Sequence, residues 1–335
     1  MSRFILATVA LLTASAPALA QQPARPAPAS APAPAPRPRR QPPPPVIPME
    51  ETAAAQKQYN AGNFDAAVTQ AKAALNRNEK FTPAMLVMAK AYYKLGKQEW
   101  VRTLWEMMQA SGASEAEKAE MFQILAFMER QKNNGPQAIS LLKQATQARP
   151  ENAIMWNNLG AQYLEAKNYR EAAPALDRAV TLQPGFAKAH LNLGNAYRGL
   201  KEYERAQAEY QKALQLFPNY ADALFNLGIL YLDADKMPNL DTTAKLNGAI
   251  GFFQRYKQMM ASAGQSLGRD PVDGYITEAQ EGIRKEGKRI ERQKKAEERE
   301  KQRAAPKPAT PGQPAPGAPA APAPAPAPAP GGKKP

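Results

Sequence analysis

Cysteine is absent from all 335 residues. That excludes disulfides, thiolate metal sites and a lipid anchor built on an N-terminal cysteine. Histidine is nearly absent too, with His190 alone, and no glycine-rich phosphate loop or nucleophile–base constellation is present. Asp270 and Asp273, in the stretch GQSLGRDPVDG, are too few for calcium, which takes about six to eight oxygens. Glu278 and Glu281, one helical turn apart, read as a solvated pair. These shortages argue against an enzyme, and no cofactor or metal is expected. Long hydrophobic runs are also missing. The most apolar stretch, residues 4–12, falls well short of the roughly 20 residues a membrane-spanning helix needs.

Residues 1–20, MSRFILATVALLTASAPALA, have the form of an export signal. Arg3 supplies the positive start, residues 4–12 the apolar segment, and Ala18-Leu19-Ala20 a small-x-small cleavage site before Gln21. The expectation is a protein exported to the periplasm, cleaved after Ala20; the alternative is an uncleaved N-terminal anchor.

Proline makes up 33 residues, mostly near the two ends. Residues 21–48 and 304–335 carry Pro/Ala tracts that cannot build a core and read as disordered, polyproline-like segments. They serve either as solvated spacers or as ligands for a proline-reading partner. The middle of the chain is rich in Ala, Leu, Gln, Lys and Glu, which suits helices.

The net charge is +14, but the excess is concentrated. Residues 284–303 hold ten Lys and Arg: Arg284, Lys285, Lys288, Arg289, Arg292, Lys294, Lys295, Arg299, Lys301 and Arg303. Interleaved glutamates suit a long self-supporting helix with i,i+4 pairs. An anionic membrane or cell-wall polymer is a possible target; nucleic acid is not expected.

Self-similarity at a 34-residue period organises the middle. With Trp156 as position 4, Leu159 is 7, Gly160 is 8, Tyr163 is 11, Ala172 is 20, Leu176 is 24, Ala179 is 27 and Pro184 is 32. One period on stand His190, Leu193, Gly194, Tyr197, Ala206, Tyr210, Ala213 and Pro218; Leu224, Leu227, Gly228 and Tyr231 begin a third copy. Positions 4, 7 and 11 share one face of a first helix, and 20, 24 and 27 one face of a second. Small residues at 8 and 20 let the two approach, and proline at 32 ends the pair. One such hairpin cannot bury its own apolar face, so neighbours must stack.

This pattern resembles the tetratricopeptide repeat family. The resemblance implies an all-α, right-handed superhelical solenoid of about six hairpins over residues 49–262. Repeats fall at about 48–81, 82–118, 119–152, 153–186, 187–220 and 221–262. The first helix of the first repeat reads as short, the second repeat carries about three extra residues, and the last holds an insertion of about nine near DKMPNLDTT. Residues 263–303 form a loop and a basic helix from about 275, whose start caps the solenoid.

The family resemblance also implies a concave face lined by positions 2, 5, 6, 9, 12 and 13 of each first helix. Position 6 holds Asn158, Asn192 and Asn226, a row able to grip an extended peptide, with Asn157, Lys188, Asn195 and Arg198 adding polarity; the plain alternative is solvated asparagine. Position 5 (Asn157, Leu191, Phe225) lacks the basic residues of the carboxylate-clamp type. His190, in the place of Trp156, reads as a packing residue, and Phe225, Ile229 and Leu232 as core or partner site. The expected partners are other envelope proteins or extended peptides. The expected role is a scaffold or adaptor in a motility, pilus or secretion assembly; the alternatives are a holdase for outer-membrane clients and a tether through the basic helix. Signal, repeats and Pro/Ala tails together are loosely similar, in architecture, to periplasmic proteins of this family in gliding-motility machinery.

Overall fold

The computed structural model describes residues 47–237, 239–264 and 271–304. The expected export signal and nearly all of both Pro/Ala tracts lie outside the described residues. Twelve helices pair as six hairpins: α1 (Met49–Asn60) with α2 (Phe64–Arg77), α3 (Thr82–Lys94) with α4 (Gln98–Ala110), α5 (Glu115–Gln131) with α6 (Gly135–Ala148), α7 (Ala153–Glu165) with α8 (Tyr169–Leu182), α9 (Ala187–Gly199) with α10 (Tyr203–Leu216), and α11 (Ala221–Asp233) with α12 (Thr242–Ser262). Each hairpin packs on the next, so the fold is an all-α superhelical solenoid. A final helix, α13 (Pro271–Ala304), follows.

Close approach within a hairpin is enforced at positions 8 and 24. A Cβ on Gly160 would lie 2.4 Å from Leu176, one on Gly194 2.5 Å from Tyr210, and one on Gly228 2.4 Å from Phe253. Only glycine fits there, because the facing side chain lies against the helix backbone. The same pairing measures the insertion. Leu176 and Tyr210 each stand sixteen residues beyond their glycine, Phe253 twenty-five, so nine residues have entered the last hairpin. They fill a loop closed by a bridge between Met237 and Leu240 and lengthen the start of α12.

The turn inside each of the first five hairpins places position 15 in the left-handed region. Gly62 and Gly96 occupy it in the first two; Asn133, Lys167 and Lys201 take it with φ of 59°, 58° and 62°. Between hairpins, position 4 reaches back to the proline of the preceding repeat. Trp156 Nε1 donates to the Pro150 carbonyl at 2.9 Å, and His190 Nε2 to the Pro184 carbonyl at 3.0 Å. His190 is buried, with Nδ1 2.7 Å from Glu209, which is the packing role expected of it.

Three local expectations are corrected. α1 is not short: it runs 12 residues against 13 in most other first helices. The extra residues of the second repeat become an additional first turn of α5, which spans 17 residues and opens with a capping box between Ser114 and Glu117. The C-terminal helix begins at Pro271, so Asp273 lies in its first turn, paired with Lys257, rather than in a loop; Asp270 is outside the described residues.

The interior forms two main blocks. One joins α1 to α5 around Met85, Leu104, Met108 and Met121; the other runs from α6 to α13 around Leu176, Tyr210, Leu227 and Phe253. Leu125 of α5 packs against both. Phe225, Ile229 and Leu232 lie partly buried against the second block. Phe225 meets Phe253, Tyr256 and Tyr275 at centroid separations of 6.1, 5.7 and 6.0 Å. The start of α13 therefore covers this surface, with Val272 and Ala279 buried, as expected of a cap.

Candidate peptide-binding groove

The row of asparagines is spent largely on the fold itself. Asn192 Nδ2 donates to Asn157 Oδ1 at 2.8 Å, and Asn226 Nδ2 to Asn195 Oδ1 at 3.0 Å. Each bond joins the first helices of adjacent repeats. Asn195 Oδ1 also accepts from the Tyr210 hydroxyl at 2.7 Å. Asn157 is only 2% exposed, so its expected place on an open groove wall is corrected: it is an interior amide, satisfied by its neighbour. Asn158 stays half-buried and Lys188 exposed. Asn195, Arg198 and Asn226 do share a cleft of about 410 Å³ with Leu164, Tyr169, Gly199 and Asp233. Arg198 closes it through an ion pair with Asp233 at 3.7 Å.

A larger concavity lies on the equivalent face of repeats one to three. There α1, α3 and α5 stand side by side, and the positions that face the groove are the same ones. Met49, Thr52, Ala53 and Gln56 of α1 occupy positions 2, 5, 6 and 9; Pro83, Leu86, Val87 and Lys90 of α3 occupy the same four. Together with Phe81 and the extra turn of α5, they line a trough of about 770 Å³. Its floor is apolar, with Met49 63% exposed at one edge, and its rim carries Lys80 and Glu117.

A second hollow of about 440 Å³ continues the trough toward the other end of the same helices. Tyr59, Tyr93 and Phe127, at positions 12, 12 and 9, give it aromatic walls over Ile124. Lys90, Lys94 and Arg130 give it positive charge, and Arg130 lies 5.6 Å from the Phe127 ring centroid. Burial, then the neighbouring Tyr93 and Glu120, raise the Tyr59 pKa above its usual value, so its hydroxyl remains neutral and able to hydrogen-bond. Lys90 and Glu120 line both hollows and pair with each other from α3 to α5, forming a waist between them. An extended or short helical segment laid across the three helices would place apolar side chains in the first hollow and an aromatic or anionic group in the second.

Sequence reasoning missed this groove because the repeats that form it are the degenerate ones. The same rule of positions, applied to residues 48–131, finds it. The capping signal Ser114-x-x-Glu117 ahead of an apolar run marks the extra turn of its wall. Among the described residues, no cluster of three or more His, Cys, Asp or Glu is placed to hold a metal ion, and no helix is long and apolar enough to cross a membrane.

Comparison with known proteins agrees with the repeat fold. Models described as TPR repeat and tetratricopeptide repeat match residues 129–187, 163–212 and 194–234. No curated protein matches the sequence. Among solved structures, pilF of Pseudomonas aeruginosa superposes with a TM-score of 0.55 at 16% identity, over 70% of this chain and 96% of that one. The Cut9-Hcn1 hetero-tetramer of the APC/C superposes with a TM-score of 0.53 at 17% identity, over 69% of this chain; this chain spans 42% of that one. Both likenesses are of fold.

Proposed function

We propose that this tetratricopeptide-repeat protein is an exported, non-enzymatic adaptor that holds one segment of a partner protein in the groove of its first three repeats. The observation that carries the reading is the trough itself: apolar and aromatic side chains at groove positions of three adjacent first helices, ringed by charge. Protein–protein interaction is the general role of this fold. Periplasmic location rests on the export-signal form of residues 1–20, and membership of an envelope assembly on that signal together with the repeats and the Pro/Ala tracts.

The competing role, a holdase for extended outer-membrane clients, would use the same trough. Stoichiometry separates the two. Protein purified gently from cell envelopes should carry one partner in fixed ratio, and Ala53→Glu together with Phe127→Glu should release it while the helical content is unchanged. A broad set of exported clients released by ATP-independent exchange would favour the holdase. The mature chain should begin at Gln21; a first residue of Met1 in cytoplasmic fractions would contradict export.

A further inference from the structure

The ten cations of residues 284–303 alternate with glutamates along the sequence but not around the helix. α13 continues unbroken to Ala304, and beyond Glu281 it is exposed except for a few half-buried side chains on one edge. At about 100° per residue, Arg284, Lys285, Lys288, Arg289, Arg292, Lys295, Arg299 and Arg303 fall within one sector about 140° wide. The only other residues there are Ala296 and Gln302. All five glutamates of the segment, Glu286, Glu291, Glu297, Glu298 and Glu300, lie outside it, with Lys294 and Lys301.

Two ion pairs cross the edges of this sector. Arg289, at one margin of the sector, and Lys295, near the other, are bonded to Glu286 and Glu291 at 2.7 and 2.6 Å. Among the described residues, Lys285, Lys288, Arg292 and Arg299, along its centre, form no ion pair, and neither do Lys294 and Lys301 outside it; what sets the sector apart is that no carboxylate stands within it. The helix thus has a basic side about 29 Å long, at 1.5 Å per residue, and opposite it a mixed side where five glutamates outnumber Lys294 and Lys301. A pairing-stabilised solvated helix would instead neutralise its charges on all sides.

We propose that this basic side lies flat against an anionic lipid surface. A broad, one-sided sector fits a planar array of negative headgroups, whereas the carboxylates on the far side point away from it. The apolar content of the exposed part is small: Ile290, 38% exposed, is its one large hydrophobic residue of that kind. Attachment is therefore electrostatic, without insertion. Single-stranded nucleic acid fits less well, since no aromatic side chain follows Tyr275 in the helix to stack a base. Anchored on α12 by Val272 and Ala279, the helix would hold the solenoid at the membrane independently of whatever fills the groove.

Two double variants of the full chain test the sidedness: Arg292→Gln with Arg299→Gln on the basic side, and Lys294→Gln with Lys301→Gln on the other. Both remove the same charge from the same stretch. Flotation with phosphatidylcholine vesicles containing phosphatidylglycerol should show binding that pure phosphatidylcholine does not support and that falls with salt. The first variant should bind on the order of tenfold more weakly, and the second within about twofold of the parent. Equal loss in both variants would overturn the proposal. So would absence of vesicle binding by a chain that still binds single-stranded DNA or an acidic peptide.

Discussion

The side-chain amide of Asn192 donates to Oδ1 of Asn157, 2.8 Å away in the preceding repeat. A residue that looks outward by its repeat position is therefore part of the joint between two first helices. Asn192→Ala would leave the buried Asn157 amide without that partner. The expected cost is about 1 kcal/mol of stability, typical of one lost internal hydrogen bond, with no change in partner binding. Urea unfolding and partner retention, measured on the same preparation, check both halves of this expectation.

Lys167 and Lys201 hold a left-handed backbone that Gly62 and Gly96 hold in earlier repeats. A side chain in that conformation costs about 1–2 kcal/mol, partly offset by the greater freedom of glycine in the unfolded chain. Lys167→Gly and Lys201→Gly should each raise stability by roughly 0.5–1 kcal/mol. Thermal unfolding of the single and double variants measures the gain, which should be additive because the two turns are one repeat apart and share no partner.

Much of this architecture is legible in the chain. The hairpin count, the close approach of the two helices at the position-8 glycines and the capping role of the helix placed from about residue 275 follow from a 34-residue period and helical spacing; that the glycines face position 24, and that the helix starts at Pro271, do not. The Asn192–Asn157 bond is not legible, because position 6 reaches position 5 of its neighbour while Asn226 reaches position 9. Repeat arithmetic gives the face of a helix and not which neighbour a short amide meets. The candidate groove was hidden for the opposite reason. Its positions obey the rule, but Thr52, Ala53, Leu86, Val87 and Ile124 do not repeat one another, so nothing marks them as a row.

Tyr210 is fully buried, and burial pushes the pKa of its hydroxyl well above the ordinary value of 10.0. The unfolded chain releases this proton near pH 10, while the folded chain keeps it. The contribution to stability is complete below pH 10 and is lost as pH climbs toward the raised value. Urea midpoints should therefore fall steeply above about pH 10, and Tyr210→Phe should flatten that fall. At neutral pH the same change should cost about 1 kcal/mol, since Asn195 loses the donor at 2.7 Å.

Under the proposed function, partners are held by the first three repeats rather than by the asparagine row. A photo-crosslinking residue placed at Ala53, and separately at Asn158, puts the question directly in living cells. One dominant protein adduct is expected from position 53, lost when Phe127→Glu is introduced, and little from position 158. A dominant adduct from position 158, with none from position 53, would contradict it.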